Sequence, residues 1–177
     1  MPDVLALIQR SNEARRSGDR AGARKLAEEA AEMSRASGDC RQLSAALAAL
    51  GRLYRDDGDY ESALGSYQEA AELARQGRDE LSLAQCLRHI GDILTEQGEF
   101  SRAEQCYDEA GVIFERADIG DLAAANFLRS LAILKEKQGA PGAAAELWTR
   151  ARTLYAGTGI DAGVKESDRR LANLKTA

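Results

Sequence analysis

At 177 residues the chain is long enough for one compact domain or one short solenoid. Hydrophobic residues make up 44% and aromatics only 5%, so alanine and leucine carry the burial, which favours close-packed helices over a β-sandwich. A net charge of −5, with charged residues of both signs at 30%, fits amphipathic helices and argues against nucleic acid or an anionic membrane as the main partner.

From the N-terminus, residues 1–10 hold an early acid and a short apolar stretch, without the basic start and long apolar core of a secretory leader. No segment approaches the ~18 apolar residues of a spanning helix. Cys40, Cys86 and Cys106 form no CxxC pair and have no histidine-rich neighbour. They read as buried or half-buried thiols of a reducing compartment, so the expected location is cytoplasmic. The only prolines are Pro2 and Pro141, so almost nothing interrupts helical stretches.

The predicted elements repeat. Gly58-Asp59-Tyr60 and Gly98-Glu99-Phe100 lie 40 positions apart; the same step back reaches Gly18-Asp19-Arg20, and 41 forward reaches Gly139-Ala140-Pro141. The first unit, residues 3–39, carries Leu7, Ser11, Ala23, Ala27, Ala30 and Met33 around its glycine. The second, 40–79, carries Leu47, Gly51, Ala63, Tyr67, Ala70 and Leu73 at the same places. The third, 80–120, has Leu87, Gly91, Ala103, Tyr107, Ala110 and Ile113, and the fourth, 121–160, has Leu128, Ala132, Ala144, Trp148, Ala151 and Leu154. Residues 161–175 read as a final helix whose Val164, Leu171 and Leu174 cover the last apolar face.

Leucine and small residue are four apart and the two alanines seven apart, both same-face helical separations. Each unit is therefore two helices joined by a glycine turn. Small residues let the backbones approach and the aromatic fills the space between them. The glycine takes the left-handed conformation that ends the first helix. Asp59 or Glu99 then opens the second helix, where a carboxylate favours the dipole, and Pro141 suits a first turn. Inter-unit loops are expected at Gly38-Asp39, Gly77-Arg78-Asp79, Gly120-Asp121 and Gly157-Thr158-Gly159.

These units resemble tetratricopeptide (TPR) repeats. The motif residues are Leu47, Leu50-Gly51, Tyr54, Ala63, Tyr67 and Ala70 in the second unit, and Leu87, Ile90-Gly91, Leu94, Ala103, Tyr107 and Ala110 in the third. The fourth substitutes Ala132 and Lys135; the first departs most, with Arg10, Ser11, Ala14 and Ala27, as a terminal repeat with one wet face does. The period exceeds the usual ~34 residues and resembles the longer-repeat subclass of kinesin light chains, spindle-orientation scaffolds and bacterial regulators. The resemblance implies an all-α fold, a right-handed α-α superhelix of four helix-turn-helix repeats plus a C-terminal capping helix, as one domain over residues 1–177.

It also implies that function lies on the face lined by the first helix of each unit. Groove positions carried over from the family are Leu5, Ile8, Asn12 and Arg15; Ala45, Ala48, Arg52 and Arg55; Gln85, Arg88, Asp92 and Thr95; and Asn126, Arg129, Ile133 and Glu136. Arg52, Arg55, Arg88 and Arg129 would form a basic strip. Guanidinium forks suit carboxylates, and Asn12, Gln85 and Asn126 suit peptide backbone. The expected ligand is an acidic or carboxylate-bearing peptide of a protein partner. The competing reading pairs these arginines with local acids, beginning with Arg88 and Asp92 four residues apart. A chaperone-tail clamp is disfavoured, because Asp92 would repel a terminal carboxylate.

No catalytic, cofactor or metal constellation is legible: there is no nucleophile elbow, phosphate loop, dinucleotide fingerprint or ligand cluster. His89, the single histidine, reads as a half-buried packing residue, Trp148 as core, and Glu28-Glu29 and Asp56-Asp57 as solvated faces. The chain is expected to be a non-enzymatic interaction module without metal or cofactor. The alternatives are a self-associating scaffold forming homodimers, or the sensor part of a bacterial regulator.

Overall fold

The computed structural model describes residues 3–116 and 120–174, which form nine α-helices. These are α1 Val4–Ser17, α2 Arg20–Ser37, α3 Cys40–Asp56, α4 Tyr60–Gln76, α5 Glu80–Glu96, α6 Phe100–Arg116, α7 Asp121–Lys137, α8 Pro141–Gly157 and α9 Asp161–Leu174. The fold is all-α, built of paired helix-turn-helix units of TPR-like kind. Residue 175, the expected end of the last helix, lies outside the described residues. Among the described residues no helix is long and apolar enough to cross a membrane. By packing, the chain divides inside α5 into two compact units, Met1–Ile93 and Leu94–Ala177.

In the first unit α1 packs on α2, α2 on α3 and α3 on α4, and α1 also touches α3. Each of its helices starts under an aspartate. Asp3, Asp19, Asp39, Asp59 and Asp79 accept the backbone N–H of Leu5, Gly22, Gln42, Ser62 and Ser82 at 2.9–3.1 Å. Such a cap satisfies an orphan donor and is worth about 1 kcal/mol. At the other end of α3, Gly58 turns left-handed (φ +79°), so that its N–H reaches Arg55 O at 3.0 Å and that of Asp59 reaches Tyr54 O at 2.9 Å. In the α4–α5 loop the left-handed residue is Arg78 (φ +53°), while Gly77 keeps an ordinary φ of −78°.

The packing columns meet inside this unit. Ala23, Ala30, Ala63 and Ala70 have no exposed surface, and Tyr67 is fully buried. A Cβ on Gly51 would stand 2.9 Å from Cε2 and Cζ of the Tyr67 ring, so the glycine makes room for the aromatic. In the first repeat the corresponding residues are Ser11 and Ala27, and the Ser11 hydroxyl donates to Ala23 O at 2.8 Å.

In the second unit α6 touches α7, α7 packs on α8 and α8 on α9. Pro141 stands in the first turn of α8, where its missing N–H costs no helical bond. Trp148 is fully buried with Ala132 and Ala144, and Ile133, Leu171 and Leu174 pack against them. A second cluster joins Ala125, Leu128, Ala151 and Tyr155 with Val164. Gly163 lies so close to the Tyr155 ring that no side-chain carbon fits there, which seats α9 on α8.

Candidate functional site

The first unit carries a cleft of about 190 Å³ walled by the first helices of three repeats. From α1 comes Ile8; from α3, Ser44, Ala45, Ala48 and Arg52; from α5, Ser82, Gln85, Cys86 and His89. Ser44, Ala48 and Arg52 follow four-residue steps, as do Ser82 and Cys86, so each helix presents one stripe. The alanines keep the walls low. Ser44 is already committed, donating to Ala70 O at 2.8 Å, and Ser82 donates to Asp79 Oδ2 at 3.0 Å.

Arg52 is half-buried in this cleft, and its Nη2 donates to Asn12 Oδ1 at 3.0 Å. Among the described residues it makes no ion pair with a carboxylate. Burial lowers its pKa from the ordinary arginine value; the cations of Arg15 and Arg55 add to that, against raising contributions from Tyr67 and Cys86. Gln85 is exposed and faces the same cleft.

Beside it lies a closed polar cluster. Arg88 Nη1 is 3.1 Å and Arg55 Nη1 3.5 Å from Asp92 Oδ2. His89 sits between the two guanidiniums, with Nε2 2.9 Å from Arg88 Nη2 and Nδ1 3.1 Å from Arg55 Nη1. A guanidinium only donates, and a neutral imidazole accepts at one nitrogen. Only one of the two guanidinium contacts can therefore be a hydrogen bond to the ring, and Asp92 Oδ2 lies 3.5 Å from Nδ1. Burial first, and then the Arg88 charge, lower the His89 pKa to about 3, although Asp92 pulls the other way. His89 is therefore a neutral packing residue stacked on Tyr67, as the sequence suggested, and it also belongs to the cleft wall. The buried Tyr67 hydroxyl makes no hydrogen bond with any described residue, and burial pushes its pKa up to about 12. Burial likewise pushes the Cys86 thiol up to about 12, which keeps it protonated and unreactive.

The remaining two candidates belong to the second unit. Asn126 Oδ1 accepts from Tyr155 Oη at 2.8 Å. Arg129 donates from Nε and Nη2 to the two carboxylate oxygens of Glu166 in α9, both at 2.8 Å. Burial alone would raise Glu166, but the hydrogen bonds and charge of Arg129, with Arg170 and Arg169, outweigh it and hold the pKa low. Glu136 accepts from Trp148 Nε1 at 2.5 Å and from Arg170 Nη1 at 2.8 Å.

Several expectations need correction. Thr95, a groove position by the motif, is buried, because its stripe turns toward Tyr107, whose hydroxyl is 3.5 Å from Thr95 Oγ1. Cys40 is exposed at the start of α3. Asp56 and Asp57 are exposed, as expected of a solvated face, and they also pair there: Asp56 with Arg15 at 2.8 Å, and Asp57 with Arg20 at 3.0 Å and Arg24 at 2.6 Å. Glu166 was not foreseen, since nothing in the repeat motif marks a partner 37 residues beyond Arg129. Among the described residues no group of three or more His, Cys, Asp or Glu could hold a metal ion.

The family model described as SNAP, soluble NSF attachment protein, matches residues 6–116. Among curated proteins none matches the chain. The crystal structure of BtubC (BKLC) from P. vanneervenii is similar with a TM-score of 0.68 at 20% identity, over 94% of this chain and 79% of that one. Two crystal structures of a Podosopora anserina putative kinesin light chain with nearly identical TPR-like repeats give TM-scores of 0.69 and 0.67 at 12% and 13% identity. They cover 98% and 99% of this chain and 93% and 96% of those. At such identities the likeness establishes the fold.

Proposed function

The chain belongs to the soluble NSF attachment protein (SNAP) family, and from that premise we propose that it is a non-enzymatic interaction module whose first-unit cleft holds a carboxylate-bearing peptide segment of a protein partner. TPR-like repeats are generally protein–protein interaction modules and typically non-catalytic. The observation that carries the reading is the charge in and beside the cleft. Arg52, Arg55 and Arg88 stand against one carboxylate, Asp92, with His89 neutral. The other carboxylate nearby, Asp79, caps α5 through Ser82 and lies 3.8 Å from Arg41 Nε. Apolar walls from Ile8, Ala45 and Ala48 beside the Arg52 guanidinium suit an extended carboxylate-bearing segment better than any small metabolite.

Ala48→Trp tests this by filling the cleft without changing its charge. Wild type and variant are compared for capture of a random pool of blocked peptides, with circular dichroism confirming the fold. Capture should fall by about tenfold or more in the variant, as loss of a buried contact site does. Equal capture would remove the cleft from consideration. Light scattering on the same preparation addresses self-association: a concentration-independent dimer with the cleft blocked would overturn peptide capture.

A further inference from the structure

We infer that the cleft recognises one isolated carboxylate, an aspartate or glutamate side chain of the bound segment, seated on Arg52, and does not read a run of acids. The inference rests on the peptide-binding reading and sharpens its chemistry. The arginines that a linear strip would use differ in what already holds them. Arg88 and Arg55 share Asp92 at 3.1 and 3.5 Å, and Arg129 donates twice, from Nε and Nη2, to the carboxylate of Glu166. Arg15 is paired with Asp56 at 2.8 Å. Arg52 alone of this set has a neutral partner, the Asn12 amide oxygen, and no ion pair among the described residues.

A half-buried cation without a counter-charge bears part of its desolvation cost uncompensated, and an entering carboxylate offsets that cost while gaining charge-assisted hydrogen bonds. The exposed amide of Gln85, on the facing wall, can donate to the carboxylate's second oxygen. A phosphate dianion fits less well, because the cations that act on Arg52, Arg15 and Arg55, are paired with Asp56 and Asp92. The alanine walls leave room beside the acid for a small or apolar residue of the segment.

The probes are pools of blocked nonapeptides, randomised over uncharged residues and carrying zero, one or four glutamates, with a fourth pool carrying one phosphoserine. Capture of the one-glutamate pool should exceed that of the uncharged pool by about tenfold or more, the worth of one charged hydrogen-bonded pair. The four-glutamate pool should gain no more than about threefold over it, the statistical and screened long-range share. Arg52→Gln should bring all pools to the uncharged level. Gln85→Glu, at an exposed position, should do the same by placing a carboxylate in the cleft, which covers the case of an Arg52 variant that folds poorly. Arg129→Gln should change nothing.

Capture that climbs about tenfold from one glutamate to four, or that survives both cleft variants, overturns the single-carboxylate site. Preference for the phosphoserine pool overturns the assignment to a carboxylate. Both outcomes leave peptide capture standing if Ala48→Trp still blocks it; if Ala48→Trp has no effect, the cleft reading fails first and this inference with it.

Discussion

The imidazole of His89 lies on the ring of Tyr67, with centroids 4.9 Å apart and planes 20° from parallel. The histidine there is neutral: burial, then the Arg88 charge, lower its pKa to about 3 against the pull of Asp92. In the unfolded chain histidine titrates near ~6.5. Between those values the unfolded chain binds a proton that the fold refuses. The stabilisation is therefore complete above the unfolded value and is lost as pH falls through the window. Urea unfolding of wild type should lose up to about 1.4 kcal/mol per pH unit more than His89→Gln between about pH 6 and 5. Parallel pH profiles would mean that the imidazole is protonated in the folded state.

The close approach of Gly51 to Tyr67 predicts opposite signs for two glycine substitutions. Gly51→Ala puts a methyl 2.9 Å from the buried ring and should destabilise by about 1–3 kcal/mol. Gly65→Ala, inside α4, meets nothing within 4 Å and should stabilise by about 0.5–1 kcal/mol through helix propensity. Thermal melts of the two proteins check the pair.

Arg78 is the one non-glycine residue with positive φ among the described residues (φ +53°). Its left-handed backbone brings Asp79 N–H to Ala74 O at 2.8 Å, which closes α4. Arg78→Gly keeps the turn and removes the steric cost, so stability should rise by about 1 kcal/mol. A loss of stability would show that the arginine side chain contributes more than its backbone strain costs.

Arg129 and Glu166 meet through two parallel hydrogen bonds, both partly shielded. A double-mutant cycle with alanine at each position should give a coupling of about 1–2 kcal/mol. The exposed i,i+3 pair Arg102–Glu99 should give less than about 0.5 kcal/mol in the same measurement. Equal couplings would mean that α9 is seated by its apolar contacts alone.

The amino-acid sequence determined by itself the features that depend on near neighbours. A helix face is set by four- and seven-residue steps, so the alanine columns and Tyr67, Tyr107 and Trp148 could be read directly, and all proved buried. The turn glycines, Gly18, Gly58, Gly98 and Gly139, carry the positive φ that their place predicts. The aspartate caps of α2 to α5 were legible too, in the recurrence of Asp19, Asp39, Asp59 and Asp79 one residue before each of those helices. The charges were a different matter. A position on a helix says which way an arginine points, not which carboxylate another helix brings opposite it. Ion pairing falls off over a few ångströms, so the fate of each guanidinium hung on that placement. Only tertiary structure brought Glu166 to Arg129 and Asp92 to Arg55, and left Arg52 in the cleft with an amide for a partner.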